Sequence, residues 1–267
     1  MTGYLAAAVQ LSSTEDKSAN LRSVTRLVEQ AAAQDARLIA LPEMFNCLGR
    51  FDAIVAQAEA IPGPTSQTMS DLARRLGIFL LAGSIAESAP SGKAYNTSLL
   101  FGPGGELLAS YRKMHLADVD LPGQVTLKES RWILPGEDVV ATPTACGTIG
   151  HATCFDLRFP ELFRALLDAG TQVALVPSAF TLQTGRDHWD ILLRARAIEN
   201  QMFVIAPNQC GTHTPELATY GHSAIIDPWG TVLASLGDEE GIALAEIDLA
   251  RVSEIRTRLP ALQHRRL

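Results

Sequence analysis

The sequence predicts an α/β fold contained in one domain. Apolar runs of strand length alternate with segments of helical periodicity at both ends of the chain, and paired strands joined by Gly- or Pro-containing turns lie between them. This combination indicates a mixed sheet system covered by helices. No Pro/Gly/Ser-rich or highly charged linker divides the chain, so residues 1–267 are assigned to a single domain.

The first half of the chain alternates between the two periodicities. Leu5–Gln10 is a short apolar run typical of a buried strand, and apolar residues from Leu21 to Ala31 recur at helical spacing. The pattern predicts a helix over 16–34, a strand at 38–41, a helix at 65–76, and strands at 78–82, 95–101 and 107–112. The last two are joined by a turn that contains three glycines, which supply positive φ.

The second half begins with a segment of a different kind. Residues 114–138 show little periodicity and predict a long functional loop. Alternation then resumes, with helices predicted at 160–169, at 187–201 and from 248 onward, and strands near 147–153, 172–176, 202–206, 221–227, 231–235 and 242–247.

The charge distribution argues against binding to nucleic acid or to a membrane. The formal net charge is -7 and no Lys/Arg run provides the basic footprint that nucleic acid requires. The N-terminus lacks the basic and apolar regions of a secretory signal, and no apolar stretch approaches the ~18 residues of a membrane span. We therefore expect a cytoplasmic protein.

Four cysteines lie far apart in the sequence, which fits neither a zinc site nor a disulfide framework, and such a cysteine is most often a small buried residue. Cys154 differs from Cys47, Cys146 and Cys210 in its context. A strand-like segment runs directly into Cys154, and Pro160 indicates a helix start shortly after it. A thiol at such a strand-to-helix elbow lies beside backbone N–H groups, as acyl transfer requires.

A thiol needs a base or a nearby cation to react quickly at neutral pH. Glu43 follows an apolar strand, where a partly buried carboxylate acts well as a general base, and Lys113 ends another strand. Each residue alone is more typical of an exposed surface side chain. None of the six histidines has a context like that of the base in a cysteine protease.

Three sequence motifs, taken in chain order, favour a catalytic role for Glu43, Lys113 and Cys154 over an ordinary surface or core position. Leu-Pro-Glu at 41–43, Tyr-Arg-Lys-Met-His-Leu at 111–116 and Cys-Phe-Asp-Leu-Arg-Phe-Pro-Glu at 154–161 resemble the nitrilase, or carbon-nitrogen hydrolase, superfamily. Similar segments at 177–180, 193–200, 220–223 and 227–230 extend the resemblance over almost the whole chain. It implies a four-layer αββα sandwich that dimerises through its helices as αββααββα.

The resemblance also implies roles for individual residues. Glu43 is the general base, Cys154 is the nucleophile, and Lys113 forms the oxyanion hole with the backbone N–H of Phe155. Glu129 matches a second glutamate that family members usually have near the site, although its context also fits a loop surface. No cofactor is implied, and no sequence motif suggests a metal.

Within the superfamily, residues 111–230 are most similar to the branch that contains deaminated glutathione amidase and omega-amidase, whose substrates are amides of 2-oxo acids. Such substrates carry a carboxylate, and Arg158 is the candidate to bind it, unless it is paired with Glu161 instead. Phe180 and Thr184 match a loop that lines the same pocket. Arg194 and Arg196 are interpreted as structural ion-pairing groups.

Two alternatives stay open at this point. A nitrilase or an N-carbamoyl hydrolase would use the same three residues, and a non-catalytic scaffold would keep only the fold. Two departures from the family pattern also leave the polarity of the pocket open: Phe155 replaces a tyrosine usual after the nucleophile, and the segment His151-Ala152-Thr153 replaces an approach strand that is more apolar in the family.

Overall fold

The computed structural model of the protein describes residues 3–121 and 125–266. In chain order its strands are β1 (Gly3–Gln10), β2 (Ala36–Ala40), β3 (Phe79–Ser88), β4 (Ala94–Phe101), β5 (Leu107–Arg112), β6 (Asp118–Leu121), β7 (Val125–Lys128), β8 (Ile133–Leu134), β9 (Ala141–Thr144), β10 (Gly147–His151), β11 (Val173–Leu175), β12 (Phe203–Ala206), β13 (Cys210–Thr214), β14 (Leu217–Tyr220), β15 (Ala224–Ile226), β16 (Val232–Ser235) and β17 (Gly241–Asp248). The helices are α1 (Lys17–Ala32), α2 (Phe51–Ala56), α3 (Pro64–Leu76), α4 (Pro160–Asp168), α5 (Leu182–Asn200) and α6 (Leu249–Arg258).

Two mixed sheets form the centre of the molecule. The first has the order β17-β1-β2-β3-β4-β5, with β8 beside β4, and the second has the order β16-β15-β12-β11-β10-β9. Each sheet has three adjacent parallel strands, β1-β2-β3 in one and β10-β11-β12 in the other, with antiparallel strands on both sides. The two sheets are therefore built on one plan.

The layers are held together by three apolar clusters. One cluster lies between the sheets and includes Leu38 of β2 and Ile149 of β10. A second covers the outer face of the first sheet with α1 and α3, and a third covers the outer face of the second sheet with α4 and α5. These layers are the αββα sandwich that the sequence resemblance implied.

The helices form where the sequence places an apolar stripe behind a start signal. In α1 the buried residues Val24, Leu27, Val28 and Ala31 share one face, and the Asp16 carboxylate caps the helix by accepting from the Ala19 N–H at 2.9 Å. Helix α4 begins at Pro160, in the first-turn position that proline favours.

The prediction of a long loop over 114–138 is wrong. Strands β6 and β7 pair there as an antiparallel hairpin, a 3₁₀ helix follows at Glu129–Arg131, and β8 joins the first sheet; residues 122–124 lie outside the described part of the chain. Strands of four residues and fewer are too short for periodicity to stand out from loop sequence.

Other elements also differ from the sequence prediction, and β3 extends to Ser88, six residues beyond the predicted end. Helix α5 begins at Leu182 rather than 187, the short helix α2 was not predicted, and the strand predicted at 221–227 spans only Ala224–Ile226. That last strand starts late because Gly221 and His222 both have positive φ, 70° and 56°, which breaks the extended conformation. The β13–β14 hairpin just before it was also missed.

Candidate active site

The candidate catalytic residues lie just past the ends of strands, two of them central parallel strands and the third the antiparallel edge strand β5. Glu43 follows β2 of the first sheet by three residues, Cys154 follows β10 of the second sheet by three residues, and Lys113 directly follows β5. The carboxyl ends of parallel strands are where open α/β sheets place their binding crevices. All three side chains, with Glu129, line one cavity of ≈ 330 Å³.

Cys154 lies at a sharp backbone elbow, as predicted. Its φ is 48°, in the left-handed region that residues other than glycine rarely adopt, and a 3₁₀ helix begins at the same residue. The Cys154 N–H donates to the Pro177 carbonyl at 3.0 Å. The next N–H, that of Phe155, donates to no acceptor among the described residues.

The buried Asp156 carboxylate stabilises the elbow. One of its oxygens accepts from the Tyr111 hydroxyl at 2.6 Å and from the Thr153 N–H at 2.8 Å. The other accepts from the backbone N–H of His115 at 2.9 Å and lies 2.7 Å from the His115 ring Nδ1. Since Tyr111 and His115 flank Lys113, Asp156 connects the chain segment of the lysine to that of the cysteine.

Lys113 lies between two glutamates. Its Nζ donates to Glu43 Oε1 at 2.9 Å and to the two Glu129 oxygens at 3.1 and 2.9 Å, and its side chain is only 2% exposed. Burial alone would lower the pKa of Lys113, but the charges of Glu129, Glu43 and Cys154 raise it well above the usual range. Lys113 is therefore a fixed cation.

Glu43 has four hydrogen-bond donors around its carboxylate and carbonyl. Besides Lys113, Asn96 Nδ2 donates to Oε1 at 2.8 Å, and the Ala179 N–H donates to Oε2 at 2.8 Å. The Gln209 side chain donates to the Glu43 carbonyl at 3.0 Å. These contacts fix the direction in which the carboxylate faces the cavity.

Asn96 is a site residue that the sequence analysis missed. It is buried in β4, and its Nδ2 lies 2.8 Å from Glu43 Oε1 and 3.3 Å from Glu129 Oε1, so one amide joins both carboxylates. The only sequence signal is a polar run, Asn96 to Ser98, inside an otherwise apolar strand. Two neighbouring buried carboxylates need buried hydrogen-bond donors, and this polar run is the part of the sequence that could have predicted such donors.

The thiol of Cys154 is held in its neutral form. Burial raises its pKa well above the usual range and the charge of Glu43 raises it further, while the charge of Lys113 lowers it. The side chain is 8% exposed and faces the cavity. A thiol with a raised pKa and a carboxylate thus lie in the same cavity.

The four residues predicted to contact substrate also line the cavity: Phe155, Arg158, Phe180 and Thr184. The Arg158 guanidinium lies 5.6 Å from the centre of the Phe155 ring and 5.0 Å from that of Phe180. No described carboxylate pairs with Arg158, so the alternative partner Glu161 is not bound to it. Thr184 Oγ1 is 2.8 Å from the Thr181 hydroxyl.

His188 is a second cavity residue that the sequence analysis missed. Its Nδ1 lies 3.2 Å from a guanidinium nitrogen of Arg158, one α5 turn beyond Thr184. Because a guanidinium can only donate, His188 Nδ1 is the acceptor in this contact, which positions Arg158 at the cavity wall. Of the two arginines interpreted as structural ion-pairing groups, Arg196 pairs with Glu199 at 2.8 Å, whereas Arg194 pairs with no carboxylate in the described part of the chain and donates to the Gly230 carbonyl instead.

His151 does not reach the cavity. It is fully buried at the end of β10, with its ring centre 6.4 Å from that of Tyr111, and burial lowers its pKa to about 4. Phe155, the other departure from the family pattern, is a cavity residue and packs edge-on against Phe159 with ring centres 5.6 Å apart. Only Phe155 therefore changes the polarity of the pocket wall.

Within residues 3–121 and 125–266, His, Cys, Asp and Glu side chains form no group of three or more suited to a metal ion. None of the helices in this part of the chain combines the length and the apolar character that crossing a membrane would require.

The match to a family model decides the relationship of the chain to known proteins. The model of the carbon-nitrogen hydrolase family aligns with residues 5–257. The chain belongs to the carbon-nitrogen hydrolase family. This confirms the superfamily that the ordered motifs indicated.

Individual members of the carbon-nitrogen hydrolase family give the same result. The chain is 43% identical to the deaminated glutathione amidase of Synechocystis sp., covering 99% of both chains, and 39% identical to the omega-amidase of Homo sapiens, covering 100% of this chain and 96% of that one. The NitFhit protein of C. elegans superposes with a TM-score of 0.93 at 36% identity, over all of this chain and 66% of that longer one. The predicted α/β sandwich and a hydrolase acting on the carbon-nitrogen bond of amides are thereby confirmed.

Proposed function

We propose that this carbon-nitrogen hydrolase cleaves the amide of a small 2-oxo acid through a thioester on Cys154. The observation that carries the proposal is the cluster of Cys154, Glu43 and Lys113 in one cavity that also contains an arginine without a carboxylate partner among the described residues. The first three groups supply the chemistry, and Arg158 supplies the recognition.

The first half-reaction forms the thioester. Glu43 takes the thiol proton as Cys154 Sγ attacks the amide carbonyl, because the thiol is otherwise protonated. Lys113 and the Phe155 N–H stabilise the oxyanion of the tetrahedral intermediate. The carbon-nitrogen bond then breaks, and the nitrogen leaves as ammonia or an amine with the proton that Glu43 returns.

The second half-reaction restores the enzyme. Glu43 removes a proton from a water molecule, the resulting hydroxide attacks the thioester, and the carbon-sulfur bond breaks to give the carboxylic acid and the free thiol. Glu129 contacts Lys113 with both oxygens and keeps the cation in place through both halves. Its role is to position Lys113.

The choice of substrate rests on Arg158 and on the relatives. A guanidinium that is freely presented to a cavity matches a substrate carboxylate in geometry and charge. Relatives at about 40% identity over the full chain are named deaminated glutathione amidase and omega-amidase. We therefore place the substrates of this protein among the amides of 2-oxo dicarboxylic acids.

The test is a panel of amine and ammonia release. We expect turnover of α-ketoglutaramate or deaminated glutathione, loss of activity in Cys154→Ala, and a large rise in KM with a smaller change in kcat in Arg158→Met. Preferred turnover of a nitrile or of an N-carbamoyl amino acid would replace the proposal by one of those activities. No Cys154-dependent turnover of any compound would favour a non-catalytic scaffold.

We also propose that residues 1–267 act as a single domain.

We further propose that two copies of the chain associate through α5. Ile191 and Ile198 lie seven residues apart on one face of α5 and are 70% and 48% exposed, and Trp229 is 56% exposed near the same helix. Exposed apolar patches of this kind mark interfaces. Sedimentation should show a dimer that Ile198→Asp weakens. A monomer both with and without this substitution would contradict the proposal.

Location in the cytoplasm stays a prediction.

A further inference from the structure

The outer part of the active-site cavity has no charged wall. The charged and titratable lining residues other than Arg158 and His188 belong to the cluster around Lys113 and Cys154. The uncharged lining residues are apolar except for Asn96, Thr181 and Thr184. Besides Phe155 and Phe180, the large apolar side chains come mainly from α2 with the loop before it, the β6–β7 hairpin and β14: Leu48, Phe51, Ile54, Val119, Leu127 and Leu217. A wall of this composition binds an apolar group.

This wall is continuous with the catalytic centre. Met44, Leu48 and Ile54 belong to one apolar cluster, against which Phe51, Leu217 and Ala179 also pack. Ala179 is the residue whose N–H holds Glu43 Oε2. The apolar wall therefore reaches the residue that holds the Glu43 carboxylate.

We propose that the preferred substrates carry an apolar group on the amide nitrogen, so that the leaving group is an apolar primary amine. This inference rests on the proposed function, and it concerns the part of the substrate that Arg158 does not bind. The cavity volume of ≈ 330 Å³ supports it, since sites of roughly 300–1,000 Å³ enclose ligands larger than a simple 2-oxo acid amide.

The position of Glu43 decides which side of the reacting carbon faces the wall. Glu43 returns the proton to the leaving nitrogen, so the nitrogen must lie on the Glu43 side of the tetrahedral carbon. The residues that follow Glu43 in the chain, from Met44 to Ile54, form part of this wall, and Ala179, which packs against it, donates to Glu43 Oε2. Arg158 is surrounded instead by Phe155, Phe180 and His188 of the second half of the chain, so the acyl carboxylate lies there.

The chemistry needs no further reactant. The Sγ–carbon bond forms first and gives the tetrahedral intermediate, and the carbon-nitrogen bond then breaks. The thiol proton passes through Glu43 to the nitrogen, which leaves as a neutral amine. Water then cleaves the thioester and gives the 2-oxo dicarboxylic acid. The products are one acid and one apolar amine for each amide and water consumed.

The test compares α-ketoglutaramate with its N-methyl, N-propyl and N-pentyl derivatives. Burying a methylene contributes roughly a fourfold gain in kcat/KM, so the value should rise steadily along the series. Leu127→Asn should flatten the rise. Val232→Asn is the matched control, because Val232 is exposed on β16, outside the cavity, and the rise should persist in it. Val119→Thr places a hydroxyl in the same wall with almost no change of shape, so it should lower the gain along the series while the hairpin stays folded.

The outcomes separate this inference from the proposed function. Normal turnover of α-ketoglutaramate with no gain, or a loss, along the series would overturn the inference and leave the proposed function intact. A gain that appears only when the alkyl chain is moved to the acyl carbon would overturn the assignment to the nitrogen side. Failure of every 2-oxo acid amide would overturn the proposed function itself, and this inference with it.

Discussion

At the scale of single residues, the site is a balance of charges around Lys113. Two carboxylates and one ammonium lie within hydrogen-bond distance, so the cluster carries a net negative charge before the thiol ionises. A thiolate would add a second negative charge in a buried place. This explains why burial and the charge of Glu43 raise the pKa of the Cys154 thiol, and why the proposed mechanism uses a base as well as a nucleophile.

Removal of the Glu43 charge should lower the pKa of Cys154, because that charge is one of the causes that raise it. In Glu43→Gln, alkylation of Cys154 by iodoacetamide should therefore begin at lower pH than in the unchanged protein, while amide hydrolysis falls by about 10²–10⁴. Peptide mapping measures the alkylation and Glu216→Gln, on the exposed surface, is the control. Alkylation that is independent of pH between 6 and 9 in the unchanged protein would mean a preformed thiolate.

Asn96 should matter for rate more than for binding, since it contacts both carboxylates and no predicted substrate group. Hydrogen bonds to charged groups contribute about 1.5–3 kcal/mol, so Asn96→Leu should lower kcat by roughly 10- to 150-fold with little change in KM. Ser98→Ala is the control in the same strand, because the Ser98 hydroxyl has no hydrogen-bond partner in the described part of the chain. A wild-type kcat in Asn96→Leu would show that the carboxylates need no such connection.

At the scale of elements, the active site depends on the elbow after β10 and on the segment after β5. Asp156 joins them through Tyr111, Thr153 and His115, so the cysteine and the lysine are placed by one buried carboxylate. The positive φ of Cys154 is a strained conformation that these bonds stabilise.

Tyr111→Phe removes the 2.6 Å hydrogen bond to Asp156 and leaves the rest of the ring in place. We expect the free energy of unfolding to fall by about 1.5–3 kcal/mol, as for other bonds to a charged acceptor, in urea denaturation followed by circular dichroism. Tyr220→Phe is the comparison, since the Tyr220 hydroxyl makes no hydrogen bond to a described residue. If the two variants are equally stable, the Tyr111 hydrogen bond does not stabilise the elbow.

The elements differ in how far the sequence predicted them. Strong periodicity located α1 and α3 and the central strands, and the motifs located Glu43, Lys113 and Cys154, which the fold brings together. The β6–β7 hairpin was missed because its strands have four residues each. Asn96 and His188 were missed because each acts through a partner distant in sequence, Glu129 and Arg158, and no local pattern encodes such a contact.

At the scale of the whole molecule, the packing of two sheets creates the site and also buries an ionisable side chain that lowers stability at acidic pH. His151 is fully buried at the edge of the layer between the sheets, and its Nδ1 has no hydrogen-bond partner among the described residues. Its pKa falls to about 4 by burial, whereas an unfolded chain would restore it to about 6.5. The folded state is therefore destabilised when this ring must take up a proton.

The direction of the His151 pKa shift sets the pH range over which folding stability is lost. The unfolded state binds more protons than the folded state between pH 6.5 and 4, so stability is retained above 6.5 and is lost as the pH falls to 4. The contribution of His151 amounts to about 3 kcal/mol over that window. His151→Leu should lose less stability than the unchanged protein between pH 7.5 and 4, as measured by urea denaturation. His264→Leu, on the exposed C-terminal segment, should lose as much stability over this pH range as the unchanged protein.

The covalent role of Cys154 is tested most directly by intact mass during turnover. Acid quenching with α-ketoglutaramate, followed by peptide mapping, should show the acyl group on the peptide that contains Cys154, and Cys154→Ala should be inactive and unmodified. Full activity in Cys154→Ala, together with no adduct on the unchanged protein at any quench time, would contradict the account.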